Sequence, residues 1–147
     1  DSVDAVLDFA IKNEEEAADF YTGLAGKMSR PQISQIFLDF AKEEMGHKAK
    51  LLEVKSGNRE LKPQGEVMDL KLAEYVVDVI PGPDADYQDV LIYAMKKEKA
   101  AFRLYSDLAS ETSDAEIKGL LLGLAQEEAK HKLRFEVEYD EVILIEN

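Results

Sequence analysis

Residues 7 to 51 of the chain return 84 positions later (128 − 44 and 131 − 47) with their chemistry largely intact. Leu7, Ala10, Glu14, Ala17, Tyr21 and Leu24 reappear as Leu91, Ala94, Glu98, Ala101, Tyr105 and Leu108, the same residue type at every position. Ile33, Phe37, Phe40, Glu44, His47 and Leu51 reappear as Ile117, Leu121, Leu124, Glu128, His131 and Phe135. Steps of three and four residues place each series on one face of a helix. The chain therefore reads as a duplicated two-helix unit, and neither copy can bury all its apolar stripes alone.

Boundaries follow from the same periodicity and from the residues that interrupt it. Apolar positions at helical spacing predict a first helix from Val3 to about residue 28. Ser29-Arg30-Pro31 supplies a cap candidate and a proline suited to a first helical turn, ahead of a second helix from Ile33 to about Lys55, with Gly57 as a stop. Pro63, Gly65, Pro81, Gly82 and Pro83 punctuate the next stretch, which predicts a long crossover with one short helix between Met68 and Val79. A third helix is expected from Tyr87 to Ser110 with Asp84 or Asp86 as its cap, and Ser113-Asp114-Ala115-Glu116 fits a capping box for the fourth. Beyond Phe135 the pattern loosens, and the tail either extends the fourth helix or packs against a partner.

Short loop, long crossover, short loop is the connection order of a ferritin-like four-helix bundle, so the fold class is all-α. We expect one domain over residues 1–147, with hairpin 1 at about 2–57, a crossover at 58–86, hairpin 2 at 87–138 and a tail at 139–147. A hydrophobic content of 46% in 147 residues is enough for one sizeable core.

The duplication carries an anomaly. Each helical stripe contains one glutamate where its apolar neighbours predict burial: Glu14, Glu44, Glu98 and Glu128. Burying a carboxylate without compensation costs several kcal/mol, and four together would repel one another. The chain has only two histidines, His47 and His131, and each closes a Glu-x-x-His tetrad with Glu44 or Glu128. Residues three apart share a helix face, so each tetrad aims a carboxylate and an imidazole at one point. Two divalent cations would neutralise the four carboxylates, giving a site of four Glu and two His. One Glu from each of two helices and Glu-x-x-His from each of the other two is the ligand pattern of di-iron and di-manganese carboxylate bundles. The oxygen-rich set suits iron or manganese, and zinc can occupy it in a purified sample. The plainer reading makes both histidines core residues bonded to nearby glutamates.

Tyr21 and Tyr105 lie two turns beyond Glu14 and Glu98 on the same stripes. They either donate hydrogen bonds to ligating carboxylates or are core tyrosines satisfied by any acceptor. Glu15, Glu16, Glu43 and Glu127 fall off the stripes and read as solvated. With no cysteine, the chain holds neither a disulfide framework nor a thiolate iron centre. Its net charge of −13 argues against nucleic acid as a partner, and no apolar run reaches the roughly 20 residues of a membrane span. No signal peptide opens the sequence, although a start at Asp1 leaves room for a removed leader.

These motifs, Glu14-to-Tyr21, Glu44-x-x-His47, Glu98-to-Tyr105 and Glu128-x-x-His131 in that order, resemble the rubrerythrin branch of the ferritin-like superfamily over about residues 3 to 136. The resemblance implies a cytoplasmic di-iron protein, often dimeric, that reduces hydrogen peroxide or reacts with dioxygen. It also implies two iron ions per chain, with Glu44 and Glu128 bridging, Glu14 and His47 capping one ion, and Glu98 and His131 the other. Two departures stand out. Peroxidase rubrerythrins usually carry a further glutamate one turn after the third-helix ligand, where this chain has Ala101. The cysteine-rich rubredoxin module is also missing, so electrons must come from a separate donor such as a rubredoxin-like protein. Iron storage or transfer through ferroxidase chemistry is the second reading, and a structural metal-binding bundle the third. A homodimer is expected, and duplicated hairpins can exchange between chains.

Overall fold

The computed structural model describes residues 3–56 and 71–146, and side chains as far as residue 142. Four long helices account for most of these residues: α1 (Val3–Gly26), α2 (Pro31–Lys55), α3 (Tyr87–Ser110) and α4 (Ala115–Glu146). A 3₁₀ turn, Leu72–Tyr75, lies in the crossover, and no strand occurs among the described residues. The chain forms two compact units, Asp1–Lys62 and Pro63–Asn147, divided inside the expected crossover.

The first unit is the α1–α2 hairpin. α1 stops at Gly26, short of the expected residue 28, because its last turn tightens: Lys27 N–H donates to Leu24 O at 3.1 Å and Met28 N–H to Ala25 O at 3.3 Å. Ser29 is not the cap of α2. That position falls to Arg30, which makes no side-chain cap bond, and Pro31 occupies the first turn, where a missing N–H costs nothing. Ser34 instead ties α2 back to α1 through its hydroxyl, which donates to Ala25 O at 2.9 Å. Ser56 closes α2 by donating its N–H to Leu52 O, while Gly57 lies outside the described residues. Val6, Leu7, Ala10, Tyr21, Phe37 and Leu51 fill the buried side, with Phe40 set edge-on to Tyr21 at 6.0 Å between ring centres.

The second unit contains the 3₁₀ turn and the α3–α4 hairpin. Asp86 takes the N-cap position of α3, as one of the two expected aspartates. At α4 the cap falls one residue later than the expected Ser113. The Asp114 carboxylate, not the Ser113 hydroxyl, stands ahead of the helix and accepts from Glu116 N–H at 2.9 Å and Ile117 N–H at 3.2 Å. Asp114→Ala should cost about 1 kcal/mol, read as a lower urea midpoint with an unchanged slope.

The tail question has an answer in the backbone: α4 runs on through it to Glu146. Two contacts anchor this extension to the start of α3. Tyr87 Oη donates to Glu138 Oε2 at 2.6 Å, and Gln88 Nε2 donates to Tyr139 Oη at 3.0 Å. Among the described residues of the crossover the expected short helix is one 3₁₀ turn, and residues 57–70 lie outside the described residues. Tyr75 in that turn is buried, donates to Asp107 Oδ2 of α3 at 2.5 Å, and has Arg103 stacked over its ring at 5.6 Å. Burial and the Asp107 carboxylate both push the Tyr75 hydroxyl up from its ordinary value, which keeps it a donor. No helix among the described residues is long and apolar enough to cross a membrane.

Candidate metal centre

Each hairpin carries a buried ligand set assembled from its own two helices. In the first, Glu14 comes from α1 and the tetrad Glu44-x-x-His47 from α2, and the three side chains are only 1–2% exposed. Their ligand atoms lie within 4.8 Å of one another. His47 Nδ1 faces Glu44 Oε1 at 3.2 Å and Glu14 Oε2 at 3.4 Å. In the second, Glu98 comes from α3 and Glu128-x-x-His131 from α4, buried to 1–3% exposure and again within 4.8 Å of one another. His131 Nδ1 stands 3.6 Å from Glu98 Oε1. All six residues expected to bind metal are thus gathered into two sets of two carboxylates and one imidazole.

Such sets lie inside helices because the three-residue step of each tetrad keeps both groups on the buried face, while the partner glutamate arrives from the antiparallel neighbour. The surroundings are apolar. Ala10, Ala17 and Leu51 flank the first set along the helices, and Ala94, Leu124 and Phe135 the second, all of them buried. Water therefore has little access to screen these charges, and the sets are far better matched to a divalent cation than to an empty core.

The neighbouring carboxylates shift His47. Burial alone would lower its imidazole, but hydrogen bonding and charge from Glu14 and then Glu44 outweigh it, raising the group from 6.5 to about 11 in the metal-free chain. A raised folded value contributes stability that is complete below the unfolded value of 6.5 and is lost as pH climbs toward about 11. Metal-free protein in chelator should accordingly melt at progressively lower temperature across that window. A metal must displace this proton, so its apparent affinity should rise with pH and its binding should release acid, both measurable by titration calorimetry in two buffers.

Tyr21 and Tyr105 are each 1% exposed on the expected stripes. Glu15, Glu16 and Glu43 are exposed as expected, whereas Glu127 is only partly so. One buried acid escaped the sequence reading: Glu138, 2% exposed, seven residues beyond His131 and bonded to Tyr87. Its counterpart in the first hairpin is Val54, and that of Tyr87 is Val3. The second hairpin has a polar pair where the first has two valines, and the seven-residue step from His131 was the available signal.

The rubrerythrin family model matches residues 5–139. The chain belongs to the rubrerythrin family. Among solved structures, a hypothetical protein from Pyrococcus furiosus is 27% identical, with a TM-score of 0.76 over 97% of this chain and 90% of that one. A protein from Thermotoga maritima assigned as ferritin-like and diiron-carboxylate is 20% identical, with a TM-score of 0.72 over 93% of each chain. No curated protein matched. The fold of this rubrerythrin-family chain is thus the all-α ferritin-like bundle, and its buried Glu/His sets are compatible with a di-metal site.

Proposed function

We propose that this chain is a non-haem di-iron oxidoreductase of rubrerythrin type, reducing hydrogen peroxide or dioxygen with electrons from an external donor. Two buried sets of two carboxylates and one imidazole, within a family of di-iron carboxylate proteins, carry the reading. In it, Glu14, Glu44, His47, Glu98, Glu128 and His131 would hold two iron ions per chain. Bound iron would supply the two-electron redox chemistry.

The protein's part is positioning, exclusion of water and proton management. Carboxylates supply negative charge that favours the metals in a buried site, and the apolar residues around them keep bulk water out. His47 Nδ1 faces Glu14 and Glu44, whose carboxylates favour its protonated form in the metal-free chain. In this reading Tyr21 and Tyr105 orient ligating carboxylates through their hydroxyls. A cytoplasmic homodimer is part of the same proposal.

Iron handling is the second reading, and Ala101 favours it, because the position where peroxidase rubrerythrins carry a further glutamate holds a methyl group here. Reaction of the ferrous protein with each oxidant separates the two. Oxidation much faster with peroxide than with dioxygen, followed by repeated turnover under a reductant, is the expected result. Preferential oxidation by dioxygen with ferric iron retained in a large assembly would favour iron handling.

A further inference from the structure

Among the described residues of the crossover, 71–86, only Tyr75 is buried. Val76 beside it is 50% exposed, Val79 79% and Ile80 71%, so the aliphatic side chains that follow gain little from packing. The backbone bonds of this stretch are local. Glu74 N–H donates to Lys71 O at 3.0 Å, Val76 N–H to Ala73 O at 3.4 Å and Ala85 N–H to Gly82 O at 3.1 Å, and none of the three reaches α3.

Tyr75 is the residue that does reach it. Its hydroxyl donates to Asp107 Oδ2 at 2.5 Å, and the Arg103 guanidinium stands over its ring at 5.6 Å. A bond to a charged acceptor is stronger than one between neutral groups, and a cation over an aromatic face adds to it. Arg103 and Asp107 are four residues apart, so both act from one side of α3. The hairpin beneath is held differently, because α3 and α4 bury Leu91, Leu104, Leu108, Leu121, Leu124 and Phe135 along their length. A segment with one buried side chain and local backbone bonds opens at a much lower free energy than such a core. At its far end Pro81 and Pro83, each with φ fixed by its ring, lead the chain into α3 through a stiff elbow.

We propose that residues 71–80 form a strap, latched onto α3 by Tyr75, that opens as a unit while α3 and α4 stay folded. Closed, the strap forms one wall of a groove of about 380 Å³, with Val76, Val77 and Val79 facing Lys96, Lys99 and Arg103 of α3. Opening dismantles that groove and takes Glu74 and Asp78, which also line it, away from the three cations.

Hydrogen exchange of the full chain, read by mass spectrometry on peptides covering 71–80, α3 and α4, tests the strap. Tyr75→Phe removes only the hydroxyl and should speed exchange over 71–80 by about tenfold, with α3 and α4 staying within about twofold of the wild type. Asp107→Asn keeps an acceptor without the charge and should give an intermediate factor. Tyr87→Phe breaks the other tyrosine–carboxylate bond of α3, to Glu138, and should leave 71–80 unchanged. Subtilisin cleavage between Val76 and Ile80 follows the open population and should rise in Tyr75→Phe by the same factor as exchange. Equal acceleration of 71–80, α3 and α4 in Tyr75→Phe would make Tyr75 an ordinary part of the hairpin core and overturn the strap. Exchange and cleavage over 71–80 that match the wild type in Tyr75→Phe would overturn the latch.

Discussion

Glu128→Ala should bind at least one metal ion fewer per chain than the wild type, and His131→Ala should do the same. Both groups are buried in the second ligand set, where the set's ligand atoms lie within 4.8 Å of one another. Removing one from so dry a place leaves the others without a replacement from solvent. Because the proposed role of Glu128 is shared between two ions, Glu128→Ala should be the more severe, approaching loss of both, while His131→Ala should spare the ion held by Glu14 and His47. Metal analysis after anaerobic loading, with helical content checked by circular dichroism, reads the difference. Two ions retained in both variants would sink the ligand assignment.

The opposite effect is expected when the set is erased rather than broken. Glu98→Leu, Glu128→Leu and His131→Leu in combination replace three buried polar groups by aliphatic ones of roughly similar size. In chelator, where no cation compensates the carboxylates, the triple variant should be more stable than the wild type by about 1–4 kcal/mol, the range seen when buried ionic groups give way to apolar packing. For a chain of this size each kcal/mol raises the melting temperature by roughly 2–4 °C. A single Glu98→Leu change should not show this gain, because it leaves the 3.6 Å neighbour His131 in an apolar core without that carboxylate. Stability sacrificed at these positions in the metal-free chain is what a metal-binding set implies and a set of ordinary core residues does not. If the triple variant melts well below the wild type in chelator, the polar set supports the fold on its own.

Much of this could be read in the residues because the duplication tested each position twice. An isolated Glu on an apolar stripe is ambiguous, but Glu14 and Glu98 at one offset, with both histidines at the same offset again, leave little room for accident. All six are buried, with ligand atoms close together in each hairpin. Legibility ended where the two copies diverge. Where the first hairpin has Val3 and Val54 the second has Tyr87 and Glu138, and the bonds of Tyr87 and Gln88 anchor an extension of α4 that periodicity alone left undecided. Local capping was legible only to within one residue. Ser113 and Asp114 both carry cap chemistry, and the backbone decides which of them precedes the helix.

The central claim is a dinuclear centre, and anaerobic titration of the metal-free chain with Fe(II) tests it most directly. Binding should saturate at two ions per chain with acid released, and admission of peroxide or dioxygen should then develop the near-ultraviolet absorption of a diferric centre. Saturation at one ion or none, with the six ligand residues intact and the helices folded, would contradict the account.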